Sequence, residues 1–305
     1  MNLIFEKDNR FYWMGVAIFL IILCHIQYTC IWNDVDYKIL RLFFRNGDIG
    51  VEIFLLISVY GLCHSYETRP LALFYKNRFK RIYPMYLLFL LIGYLFIDDS
   101  NILLASMKQI TGYNVIGGNQ FNEWYIPALT LIYVFFPLFF KGTSLIYKKS
   151  QYGCYILIFI FIISYGFTSH YIVPYFARRF YLIVLSIFIY LSQKSNKEHL
   201  TMLIFIALLQ IFTPTYWGNY LYLPLILYAI DSLKPKKMPL KSLFTFLGKY
   251  SLEIYLAQTI GIIFFCSYYD FNPRIKMLCG IGLTVVIAFL LHHFHLLCLR
   301  MFKIK

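Results

Sequence analysis

Residues 11–33 read Phe11-Tyr12-Trp13-Met14-Gly15-Val16-Ala17-Ile18-Phe19-Leu20-Ile21-Ile22-Leu23-Cys24-His25-Ile26-Gln27-Tyr28-Thr29-Cys30-Ile31-Trp32-Asn33, without one Asp, Glu, Lys or Arg. A membrane-spanning helix needs about 20 consecutive, predominantly apolar residues, and this stretch supplies them. It follows Arg10 and carries no small-residue cleavage site, so it reads as a retained span rather than a signal peptide.

The same rule, applied outward to the other charge-free gaps, predicts further spans at 49–66, 82–97, 124–140, 180–193, 251–269 and 277–299. A fifth span runs from Ser150 and ends near Pro174. The gap at 199–230 is too long for one span, and Pro214, Gly218 and Asn219 punctuate it. It is split into a short seventh and eighth span. The expected fold is therefore all-α, a polytopic membrane bundle of about ten helices, formed by residues 1–305 as a single domain with no separate soluble part.

Composition agrees with that class. Of 305 residues, 60% are hydrophobic, 21% aromatic and only 14% charged, where soluble domains carry about 25% charge. A soluble enzyme and a disordered chain are both excluded. The net charge of +14 reads as a topological signal and not as a nucleic-acid footprint, because Lys and Arg collect in cytoplasmic loops. With ten spans, 20 of the 28 Lys and Arg fall on the side that holds both termini. Both ends are therefore expected in the cytoplasm.

Ionisable residues inside spans are costly and point to function. His25 is the clearest, past the midplane of the first span toward the outer face. An imidazole in hydrocarbon is neutral and able to accept a proton. Glu52 opens the second span, where it could orient His25 or cap the helix. Glu123 and Trp124 open the fourth. Glu253 lies one turn into the ninth and could snorkel. His292, His293 and His295 crowd the end of the tenth span and are read as interfacial histidines in preference to a metal site. The seven cysteines include no C-x-x-C pair and are read as small hydrophobes. The 2–3 loop holds Lys76, Arg78, Lys80 and Arg81. It is either a positive-inside signal or an anion clamp, since arginines at i, i+3 present forked donors on one face.

Several stretches occur together in order: Met14-Gly15-Val16-Ala17-Ile18 through His25; Gly47-Asp48-Ile49-Gly50-Val51-Glu52-Ile53-Phe54 with Ser58 and Gly61; Phe74 through Arg78-Phe79-Lys80-Arg81-Ile82-Tyr83-Pro84; Trp124-Tyr125-Ile126-Pro127-Ala128-Leu129 with Pro137; and Leu247-Gly248-Lys249-Tyr250-Ser251-Leu252-Glu253. As a set, covering about residues 10–260, they resemble the acyltransferase family 3 proteins, integral-membrane O-acyltransferases of bacteria. The resemblance implies that His25 is the catalytic histidine, that Arg78 and Arg81 handle acyl-CoA, and that Trp124 is a functional aromatic. The family usually has an arginine eleven residues before the histidine. Met14 stands there, and Arg10, one turn earlier, is the candidate substitute.

The expected function is transfer of an acetyl or other acyl group from cytoplasmic acyl-CoA to a hydroxyl of a surface polysaccharide or glycolipid. His25 would be the general base, Glu52 would hold its tautomer, and Ser58 and Trp124 are candidate oxyanion donors. Lys80 would assist the arginines on the donor's phosphates. Acetyl-CoA is a co-substrate and no bound cofactor or metal is expected. The partners are the donor, a glycan acceptor and the bilayer, with no nucleic acid, and the expected location is a bacterial plasma membrane. A catalytically degenerate family member and a glycan or lipid transporter are the alternatives.

Overall fold

The structure is a computed structural model that describes residues 7–31, 39, 44, 46–94, 124–168, 179–197, 200–210, 220–233, 238–269 and 272–301. Regular structure among them is helical throughout: α1 (Lys7–Thr29), α2 (Ile49–Thr68), α3 (Leu71–Tyr94), α4 (Tyr125–Lys149), α5 (Gln151–Thr168), α6 (Tyr181–Lys194), α7 (Leu200–Leu209), α8 (Leu223–Leu233), α9 (Lys241–Lys249), α10 (Ser251–Gln258), a π-helical segment (Thr259–Phe264), α11 (Phe265–Tyr268) and α12 (Pro273–Met301).

Each predicted span contains a helix. By length and composition, five are long and apolar enough to cross a membrane: Asn9–Thr29, Ile49–Thr68, Tyr125–Lys149, Ser251–Tyr268 and Pro273–Arg300. The segments Gln151–Ile163, Tyr181–Lys194, Leu200–Leu209 and Leu223–Leu233 are apolar and shorter. Glu123, Pro174, Pro214, Gly218 and Asn219 lie outside the described residues.

Three boundaries differ from the sequence reading. The third helix starts at Leu71, so Lys76, Arg78, Lys80 and Arg81 are helical and not in a loop, and Pro84 lies inside the helix. Leu, Lys, Arg and Met are good helix formers, and no proline or glycine interrupts them between Pro70 and Pro84. The fourth helix likewise continues past the apolar stretch to Lys149 and ends with Lys148 and Lys149 in its last turn, where cations favour the helix dipole. A short helix, α9, occupies what was read as the loop before the ninth span.

Contacts divide the chain into two compact units. The first comprises Met1–Arg10, Glu52–Tyr75 and Leu104–Pro239. Its helix α6 is apolar all round and almost wholly buried, as expected of a central helix. Ser186 on α6 donates to the Leu56 carbonyl at 3.2 Å, and the rings of Tyr66, Phe74, Phe136 and Phe140 cluster beside it.

The second unit comprises Phe11–Val51, Lys76–Leu103 and Leu240–Lys305. It is set by glycines at close crossings. A Cβ on Gly15 would strike the Phe244 carbonyl of α9, and one on Gly248 would lie 2.8 Å from the Gly15 nitrogen. Only backbone without side chains fits there, which gives a physical role to one glycine in each of two quoted stretches. Gly261 of the π-helical segment and Gly280 of α12 form a second such crossing.

Candidate active site

His25 lies in the last turn of α1, where its carbonyl accepts a hydrogen bond from Thr29 Oγ1 at 2.8 Å. The ring is half-buried. Two groups of the same unit act on it: the Gln258 side-chain amide, which approaches the ring, and the charge of Asp48. Asp48 is carried there by the turn before α2. Gly47 and Gly50 flank it, and a Cβ on either would lie 2.9 Å from Cys24 or Ile21 of α1. The two glycines let the turn lie on α1 within reach of the histidine.

Gln258 is the last residue of α10 and is fully buried. It approaches the imidazole, yet neither its Oε1 nor its Nε2 makes a hydrogen bond of ordinary geometry, and His25 Nδ1 is likewise buried and unbonded. The pair is adjacent without a formed hydrogen bond in this conformation.

Glu52 sits in the other unit, at 0% exposure. Its Oε1 accepts from the Tyr220 backbone N–H at 3.3 Å and lies 3.9 Å from Arg179 Nε. Arg179, 1% exposed, places its guanidinium carbon 5.5 Å from the centroid of the Trp124 ring, within cation–π range. The Tyr181 hydroxyl also approaches Glu52, without ordinary hydrogen-bond geometry. Ser58, one and a half turns along α2, faces the buried Tyr125 at the start of α4. Three residues singled out from sequence, Glu52, Ser58 and Trp124, thus fall in one unit, where Glu52 and Trp124 both meet Arg179. An arginine next to Arg178 reads as a loop charge, and no feature of the sequence marks this one as buried.

The arginine substitute is placed differently. On the continuous helix α1, the fifteen residues from Arg10 to His25 span roughly 22 Å, beyond the reach of one side chain. Arg10 instead lays its guanidinium on α2, with Nη1 3.1 Å from where a Gly61 Cβ would be. Met14, on the histidine's face of the helix, is buried at 6% exposure.

On α3, Arg78 and Arg81 share a face, and Arg81 is exposed. Lys80 loses some hydration and lies beside Lys76, and the two effects in that order hold its ammonium below the ordinary lysine range. Arg81 also acts on His295 of α12. Glu253, which could snorkel by its place in the ninth span, is instead buried at 7% exposure. Its Oε1 meets His292 Nδ1 at 3.2 Å, and that ring stands edge-on to Tyr250 at 4.8 Å. The carboxylate that sequence spacing did not offer the histidines arrives through space.

A family model described as an acyltransferase domain matches residues 13–293. The chain belongs to this acyltransferase family. The match takes in His25, Glu52, the basic face of α3, Trp124 and Gln258. No curated protein matches the chain, and no solved structure matches it. Family membership and the apolar helices together make it a membrane protein of the acyltransferase class.

Proposed function

We propose that this single acyltransferase domain moves an acyl group, acetyl in the first instance, from cytoplasmic acyl-CoA to a hydroxyl of a cell-surface polysaccharide or glycolipid. The observation that carries the reading is the half-buried imidazole of His25, with polar groups converging on it inside an acyltransferase-family chain. In the reaction, His25 takes the proton of the acceptor hydroxyl as its oxygen attacks the thioester carbonyl. The carbon–sulfur bond breaks, and the coenzyme A thiolate leaves and recovers the proton from the imidazolium. Arg78, Arg81 and Lys80 hold the donor's phosphates through charge-assisted hydrogen bonds. Arg10, on Gly61, lies outside this chemistry and steadies the start of α1. Glu52, Arg179 and Trp124 form a separate polar centre in the first unit, with Ser58 further along the helix of Glu52.

We further propose ten spans with both termini in the cytoplasm of a bacterial plasma membrane. The side-chain contacts support this alternation, because partners come from the same predicted side. Glu67 accepts from Lys194 and Tyr190 at 2.6 and 2.7 Å, and Glu253 meets His292; all five are predicted near the cytoplasmic face. Glu52, Arg179 and Tyr220 meet, as do His25 and Asp48, all toward the outer face.

The test compares ester-linked acetyl on surface glycans in a deletion strain, the strain restored with this protein, and the strain restored with His25→Ala at equal membrane abundance. Acetyl returning only with the unaltered protein is expected. No difference among the strains sinks the O-acetyl reading, and full rescue by His25→Ala sinks the role of the histidine. A buried Met14 favours one competing reading, a family member that binds glycan without catalysis, and that reading predicts no acetyl-CoA consumption by the purified protein.

A further inference from the structure

We infer that Gln258 is a positioning residue for His25: its side-chain oxygen accepts the Nδ1–H, which leaves Nε2 as the basic nitrogen facing the acceptor. The inference rests on the proposed role of His25 as base. Four observations carry it. Gln258 is fully buried among apolar neighbours, with Leu256, Ala257 and Ile260 at 2% exposure or less. A buried amide left without partners is destabilising, so a polar partner is expected within its reach. Its Oε1 and Nε2 and the buried Nδ1 of His25 all lack a formed hydrogen bond, and they belong to two side chains that face each other. A hydrogen bond between them would satisfy His25 Nδ1 and Gln258 Oε1.

The third observation is the backbone. The π-helical segment Thr259–Phe264 starts at the residue after Gln258. Such widened turns shift side-chain direction and recur at functional sites. Here the segment is held against α12, where a Cβ on Gly261 would lie 2.5 Å from Thr284 Oγ1, so the position of Gln258 is fixed from behind. The fourth is charge. A neutral amide fixes the tautomer without charging the ring, whereas a carboxylate in its place would favour the imidazolium.

The experiment uses the full chain in lipid nanodiscs. Ring nitrogens are labelled with ¹⁵N-histidine, and the His25 signals are identified by their loss in His25→Ala. The unaltered protein should show His25 with its proton on Nδ1. Gln258→Leu, similar in volume, should lose that preference, and Gln258→Glu should retain the Nδ1 proton. A proton on Nε2 in the unaltered protein, or an unchanged tautomer in Gln258→Leu, overturns the inference. If Gln258→Leu does not fold, Gln258→Glu with a ring signal indistinguishable from the unaltered protein overturns it equally, because a contacting carboxylate must perturb the ring.

The kinetic arm measures acetyl transfer from acetyl-CoA in membranes that carry the native glycan. Gln258→Leu should lower kcat by about 10- to 100-fold, a part of what a general base contributes, with KM for acetyl-CoA changed less than about twofold. A rise in KM alone overturns the positioning role. Absence of transfer in the unaltered protein would remove the proposed function and leave the ring signals to decide the pairing.

Discussion

The buried pair of Glu52 and Arg179 gives the sharpest energetic test. The two side chains are 0% and 1% exposed and lie 3.9 Å apart. At an effective dielectric of about 20, unit charges at that distance attract by about 4 kcal/mol. Breaking a buried pair by removing one partner typically costs about 3–5 kcal/mol, because the other charge stays in the interior uncompensated. Glu52→Gln keeps an oxygen for the Tyr220 N–H and so isolates the charge. Arg179→Met keeps an unbranched chain over Trp124 and removes the guanidinium. Each single change should lower the unfolding free energy in mixed micelles by about 3–5 kcal/mol. The double change should cost well under the sum, with a coupling of about 2 kcal/mol or more in the cycle, where residues in one ion-pair network show about 0.5–3. Costs that add to within about 0.5 kcal/mol would refute the pairing and return Arg179 to the role of a loop cation.

Further outcomes follow from the other contacts. Gly248→Ala should destabilise the protein by about 1–3 kcal/mol by overpacking, since its methyl would meet the Phe11 carbonyl; unfolding in mixed micelles measures this, and a neutral result rules out the close crossing. Cys30 and Cys266 pack in one apolar cluster and act on each other's thiols. Copper-phenanthroline oxidation should join them by a disulfide, seen as a linked peptide by mass spectrometry and absent in Cys266→Ser. Arg81→Gln should raise KM for acyl-CoA by about tenfold, the loss of one charge-assisted hydrogen bond, with kcat little changed; a fall in kcat alone refutes donor binding at this residue. His292→Leu should leave Glu253 buried without its partner and cost about 1–3 kcal/mol, against no loss if the carboxylate snorkels.

The helical architecture was legible because apolar stretches between charges need only be counted, and each stretch contains a helix. Boundaries failed where helix propensity outlasts apolarity. Lys76 through Arg81 form helix as readily as the leucines after them, so the charge gap misplaced the start of α3. His25 was legible because an imidazole in an apolar run is rare. Its surroundings were not, since Gln258 is distant in sequence and glutamine within a span attracts no notice in a count of charges. Asp48 stood in a quoted stretch but was overshadowed by Glu52, which lies deeper in the apolar run. Arg179 was invisible for a related reason: a cation at a span boundary has the same sequence appearance whether it faces solvent or a buried carboxylate. Glu253 and His292 illustrate the same limit, because no spacing rule connects residues on α10 and α12.

The quoted stretches gain a common explanation when their glycines and their polar residues are taken together. Gly15 and Gly248 mark where α1 and α9 touch backbone to backbone. His25 lies ten residues beyond the first glycine, and Gln258 lies ten residues beyond the second. On α1 the ten helical residues rise about 15 Å to the level of the imidazole, whereas the path from Gly248 to Gln258 turns at Tyr250, between α9 and α10. Gly47 and Gly50 then press a turn onto α1 just below that level and add Asp48. In each case the glycine does no chemistry. It removes a side chain so that two backbones approach, and the approach sets which polar groups meet several turns away. A motif that combines glycine with a distant polar residue is therefore a statement about packing: the glycine fixes how closely two backbones approach, and that approach limits which polar groups beyond it can meet.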